Sequence, residues 1–156
     1  MVKKERLLLL IIMLIILVLP IADAAVDFTD LRGSVDRYNN NIDKAPDLLK
    51  AMMGNERINM TILLSNGSVI AWGLVTENAK IVKYNLGGID NPTIDEYASE
   101  NAINDVLTAK DSAAAFNKAK DAGLIRIEGK TPIAKLKIAA MLSSGDAIKY
   151  YFGMFS

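Results

Sequence analysis

Asp95 and Glu96 stand side by side in the segment TIDEYA, with Asp90 before it and Asp105 after it. Two carboxyl groups flanking one bond could act as acid and nucleophile or acid and base. Neighbours on a strand point to opposite faces, so Asp95 and Glu96 cannot do this together, and both are expected on a solvated surface. The chain has no histidine and no cysteine. Imidazole proton shuttles, thiolate nucleophiles, disulfides and the commonest zinc ligands are therefore missing together. No helix with a Lys-Ser/Thr pair follows Gly87-Gly88, which reads as a turn and not as a phosphate cradle. Lys135 and Lys137 fall on different faces of one apolar helix and read as side chains snorkelling at its rims. Trp72 reads as core, with stacking on a ligand as the alternative. Met52, Met53 and Met141 read as gap fillers, the side chain a pliable lipid pocket also uses. These residue types point to binding without bond-making.

The elements that would position them follow from periodicity. In TPIAKLKIAAML, Thr131 is placed to cap a helix and Pro132 occupies its first position, where a missing N–H costs nothing. On a helical wheel its apolar residues leave no continuous polar face, so something apolar should surround it. Ile125 and Ile127 of IRIEG alternate with Arg126 and Glu128 as a short half-buried strand. Leu31, Val35 and Tyr38, with Phe28 before them, mark one amphipathic helix; Leu48, Leu49, Met52 and Met53 mark a second, stopped by Gly54. RINMTILLS, SVIAWGLVT and AKIVKYNL read as three strands, with Asn66-Gly67 supplying two positive-φ residues of a tight hairpin turn. TIDEYA adds a strand. Ser99 and Asp111 are placed to cap two helices, the second anchored by Phe116 and ended by Gly123. The pattern predicts an α+β fold: about five strands in a mixed, mainly antiparallel sheet, with helices gathered on one face.

Of the 156 residues, the first 24 read as a separate segment. Lys3, Lys4 and Arg6 precede an unbroken apolar run from Leu7 to Leu19, then Pro20 and Ala22-Asp23-Ala24, the layout of an export signal. As a helix the run rises about 20 Å, short of the roughly 30 Å hydrocarbon core. Residues 1–24 are thus expected to be a signal peptide or an uncleaved N-terminal anchor, and residues 25–156 a single domain working outside the cytoplasm, secreted or held at the outer membrane face. That body carries 15 Lys and Arg against 16 Asp and Glu, with the signs interspersed, which excludes a nucleic-acid footprint. Asn59-Met60-Thr61 and Asn66-Gly67-Ser68 are glycosylation sequons. Four of the nine Tyr and Phe residues crowd into the last seven positions, so the tail is expected to pack.

A helix carrying DRYNNN, a meander around SNG, a strand before the capped ENAINDVLTAK, the AAAFNKA helix, the IRIEGK strand and a closing IAKLKIA helix together resemble the sterol carrier protein 2 family. The resemblance runs from about Phe28 to Ser143 and is most telling from Ile103 to Leu142. It implies a five-stranded sheet with helices on one side and a hydrophobic tunnel between them, taking up fatty acyl chains, sterols or other lipids without chemical change. Carried onto this sequence, the tunnel would be lined by Phe116, by Ile133, Leu136, Ala140 and Met141 of the closing helix, and by Leu48 and Met52 of the early one. The ending GMFS is no peroxisomal address, which separates the chain from the family's peroxisomal members. The resemblance implies no cofactor. The contrasting expectation is that Tyr150, Tyr151 and Phe152 fold back and fill the space, leaving a cavity-less structural or protein-interaction domain at the outer membrane face.

Overall fold

The computed structural model describes residues 30–154; the segment 1–24, Phe28 and Phe155 lie outside the described residues. Helix α1 (Leu31–Asn41) starts at Asp30, whose carboxylate accepts from the Gly33 amide at 2.8 Å. A 3₁₀ turn leads to α2 (Asp47–Met53), followed by strands β1 (Arg57–Leu63), β2 (Val69–Glu77), β3 (Lys80–Leu86) and β4 (Ile94–Ser99). Then come α3 (Glu100–Thr108), α4 (Ser112–Asp121), β5 (Ile125–Gly129), α5 (Pro132–Leu142) and α6 (Gly145–Gly153). Ser99, Asp111 and Thr131 cap α3, α4 and α5 as expected, each accepting from the amide three residues on. Ser144 does the same for α6. The aromatic tail, legible only as something that packs, is therefore a sixth helix.

The five strands form one sheet in the order β3-β2-β1-β4-β5. β1 and β4 run parallel at its centre and the other pairs are antiparallel, the mixed sheet expected. Ile58, Ile62, Trp72, Leu74, Ile94 and Ile125 are buried on one face, beneath the helices. The other face is polar: Lys130 pairs with Asp95 at 2.8 Å and the Arg126 guanidinium lies 4.7 Å from the Tyr97 ring centroid. The link from β3 to β4 crosses this outer face. A Cβ at Gly73 would stand 2.6 Å from the Gly88 carbonyl carbon, so only glycine lets that loop pass. Asn59 holds the same loop, its amide donating to the Ile89 carbonyl and accepting from the Ile89 amide.

The first hairpin departs from expectation. Gly67 has a positive φ but Asn66 does not; Leu64 and Ser68 close a three-residue loop in which the Asn66 side chain accepts from the Ser68 amide. The Asn side chain satisfies the turn itself, which a two-residue geometry would prevent. The tight primed turn sits instead at Asn78-Ala79, with φ of 51° and 67°, between the paired Glu77 and Lys80.

Two apolar clusters fill the space under the helices. One joins α1, α2 and α5 to β1, β2 and β3; the other joins α3, α4 and α6 to β5 around Phe116 and Phe152, whose ring centroids are 5.4 Å apart. Ile127, Leu142 and Tyr151 touch both clusters.

Candidate functional site

Across the inner face of the sheet the register sets Leu86, Trp72, Met60, Glu96 and Ile127 in one row, one residue from each strand. Above it Leu31, Val35 and Tyr38 descend from α1 at spacings of four and three, because one side of a helix repeats at that interval. Between helix and row lies an apolar cavity of about 30 Å³, walled by these helix residues and by Met60 and Trp72 of the row, together with Met53, Leu74, Ile81 and Tyr151. That volume suits one water-sized guest and not a hydrocarbon tail. The C-terminal helix takes the rest of the room: Tyr151 forms a wall of the cavity, Phe152 turns onto Phe116, and the Tyr150 hydroxyl donates to the Asn41 carbonyl at 3.0 Å. Beside this helix an open groove of about 470 Å³ runs along Asn41, Asp146, Lys149, Tyr150, Gly153 and Met154.

Glu96 is the residue that sequence reasoning missed. It is half-buried and faces inward between Met60 and Ile127, so the solvated surface expected of it is wrong; its neighbour Asp95 lies on the outer face, its side chain 15% exposed and paired with Lys130. The signal was present: Ile94, Glu96 and Ala98 alternate on one side of TIDEYA, and Ile94 had to be buried. Burial pushes the Glu96 carboxyl up to about 7. Burial, with the Glu96 charge second, also holds the Tyr38 and Tyr151 hydroxyls well above the usual tyrosine range. The Tyr38 hydroxyl donates to the Ala79 carbonyl at 2.7 Å. The Trp72 indole is 6% exposed and belongs to the core, yet its Nε1 has no hydrogen-bond partner, the one such buried side-chain atom among the described residues.

No family model matches the sequence, and no curated protein matches it in sequence either. Solved structures do match the fold. A conserved hypothetical protein of Thermus thermophilus, suggested to be a sterol carrier protein, superposes with a TM-score of 0.50 at 13% identity over 80% of this chain and 87% of its own. The sterol carrier protein domain 2 of Helicoverpa armigera gives 0.50 at 15% identity over 73% and 86%. The ubiquinone synthesis protein UbiJ-SCP2 gives 0.51 at 9% identity over 76% and 90%. The chain has the sterol carrier protein 2 fold.

Within that fold the residues expected to line a tunnel do not come together. Met52 and Met141 are buried in the first cluster and Phe116 in the second, Ala140 is half-buried, and Leu48 lies at the surface. Ile133 and Leu136 point outward, 68% and 73% exposed. α5 turns Ala134, Ile138 and Met141 toward the core. A helix apolar on every side gives its sequence no means of saying which side that will be, and here water takes the other. Lys137 does not snorkel: its Nζ pairs with Glu56 at 2.5 Å, tying α5 to the start of β1. The apolar cavity lies under α1 instead, against β1 and β2. Among the described residues no cluster of acidic side chains could hold a metal ion, and no helix is long and apolar enough to cross a membrane.

Proposed function

We propose that this chain is a non-catalytic binding or transfer module for a lipid or other apolar ligand, exported by its N-terminal segment and working outside the cytoplasm. The observation that supports it most is the apolar cavity between α1 and the sheet, on a fold shared with domains named as sterol carriers. Two of its walls are methionines, Met53 and Met60, whose unbranched side chains re-pack around guests of different shape. A third is Tyr151 of α6, the helix whose Tyr150 and Gly153 line the open groove. A ligand enters by displacing Tyr151, and the cavity grows into the room that α6 gives up.

Titration of the full chain with a fluorescent long-chain ester is expected to saturate. Tyr151→Ala is expected to bind about tenfold tighter, because the emptied space admits roughly two further methylenes at about 0.8 kcal/mol each. Tyr151→Leu keeps the contacts to both clusters and should give a smaller gain in the same direction. The close packing of the aromatic helix favours a second reading, a cavity-less structural or interaction domain. Failure of the wild type and both variants to saturate, with native mass spectrometry of fresh protein showing no retained lipid, would establish that reading in place of the first.

A further inference from the structure

The cavity under α1 holds one unspent polar group. Its other polar side chains are engaged: the Tyr38 hydroxyl donates to Ala79, and the Ser34 hydroxyl accepts from Arg37 at 3.2 Å. Trp72 lies in the floor with a buried N–H that donates to nothing among the described residues. Buried donors are paired almost without exception, so an orphan in a cavity wall marks a place where something else supplies the acceptor. Along the same row, one strand beyond Met60, stands the Glu96 carboxyl. Strands lie about 4.8 Å apart, so Trp72 and Glu96 are roughly 10 Å from each other. One oxygen atom cannot touch both, but across apolar side chains a charge at that distance is still felt. The titratable groups coupled to Glu96 are Tyr38 from α1 and Tyr151 from α6, neither of which can become a cation. Its sheet neighbours Met60 and Ile127 carry no charge.

We propose that the floor of this cavity is a head-group subsite that takes the uncharged oxygen of an apolar ligand, an ester or ketone carbonyl accepting from Trp72 Nε1, and turns away free carboxylates. This deepens the ligand-binding reading and rests on it. A carbonyl offers the lone pair that the indole lacks. A fatty acid anion offers one as well, but brings a negative charge toward a second carboxyl on the same row with no cation between them. The subsite therefore sorts apolar ligands of equal length by the charge of their polar end.

Three probes of one chain length separate the possibilities: hexadecane, methyl hexadecanoate and hexadecanoate, each added to the full chain at pH 8. Trp72 is the single tryptophan of the sequence, so its emission reports directly on the site. The ester is expected to bind at least tenfold tighter than the acid and to shift the emission to longer wavelength as Nε1 gains its acceptor, whereas hexadecane binds without that shift. Read by calorimetric titration, since the variant has no tryptophan, Trp72→Phe should cost the ester about tenfold, one hydrogen bond's worth, and hexadecane less than threefold. Glu96→Gln should narrow the gap between acid and ester. Equal binding of acid and ester, or equal losses of ester and hexadecane in Trp72→Phe, would overturn the subsite and leave the apolar pocket standing. If hexadecane itself fails to saturate, the ligand reading falls and takes the subsite with it.

Discussion

Glu96→Gln is expected to stabilise the protein by about 3 kcal/mol at pH 8 and to change it little at pH 4. Burial moves the Glu96 carboxyl from its ordinary 4.5 up to about 7 in the folded chain. Between those values the folded protein keeps a proton that the unfolded chain has already released. The contribution of Glu96 to stability is therefore most favourable below about pH 4.5, falls as pH rises toward 7, and falls no further above it. At about 1.36 kcal/mol per pH unit the gap amounts to about 3 kcal/mol. Glutamine cannot ionise and stays at the acid-limb level throughout. In a chain of this length the difference appears as a melting temperature raised by roughly 8 °C at pH 8. Lys50 holds the Asp47 carboxyl below the usual range and Ser65 does so for Glu100. Both act in the opposite sense and equally in the two proteins, so the difference isolates Glu96. A gap between variant and wild type that is the same at pH 4 and pH 8 would show that Glu96 ionises freely.

A residue that lowers stability at neutral pH in this way calls for a use, and its position supplies one. Glu96 sits where the two apolar clusters meet, facing tyrosines from the first and last described helices. An apolar residue at that point would stabilise the fold and remove the charge that distinguishes one ligand head from another. Natural sequences break the burial rule chiefly at functional sites, and Glu96 breaks it within a strand on the inner face of the sheet.

Much of the fold was legible because the relevant signals are local. Ser99, Asp111 and Thr131 each stand immediately before an apolar periodic run, and a cap needs nothing but its own next turn. Strand alternation set Ile58 and Ile62 on one side of RINMTILLS before any partner was known. The order of the strands needed the register, since nothing within TIDEYA says that it runs parallel to β1. The site was less legible for a reason that can be stated residue by residue. The wheel of α5 offers Ile133, Leu136, Ile138 and Met141 on equal terms, and only packing against β5 and α2 decides between them. Phe116 was correctly taken as buried, but its partner is Phe152, from a helix whose existence rests on Ser144 and on the spacing of Ala147, Ile148, Tyr151 and Phe152. Trp72 could be read as core and still not as a donor in want of an acceptor, because that depends on what every neighbouring side chain does with its own polar atoms.

Lys137→Met is the second large effect, and it acts through residues outside the cavity lining. Glu56 is 5% exposed and accepts from Lys137 Nζ at 2.5 Å and from the Thr93 hydroxyl at 2.5 Å, while its backbone amide donates to the Thr76 hydroxyl at 2.8 Å. One carboxylate thus joins α5, the loop before β4 and the start of β1. Removing a single member of a buried pair leaves a charge in apolar surroundings, which costs about 3–5 kcal/mol. Lys137 keeps some contact with water, so about 3 kcal/mol is expected, a fall in melting temperature of roughly 8 °C. Methionine retains the length and apolar stem of lysine, so the loss reports on charge and not on packing. Glu56→Gln combined with Lys137→Met leaves no buried charge and should recover at least half of the stability in a denaturant titration. Were the double variant as unstable as the single one, the loss would not come from a charge stranded on Glu56, and the buried pair would not account for it.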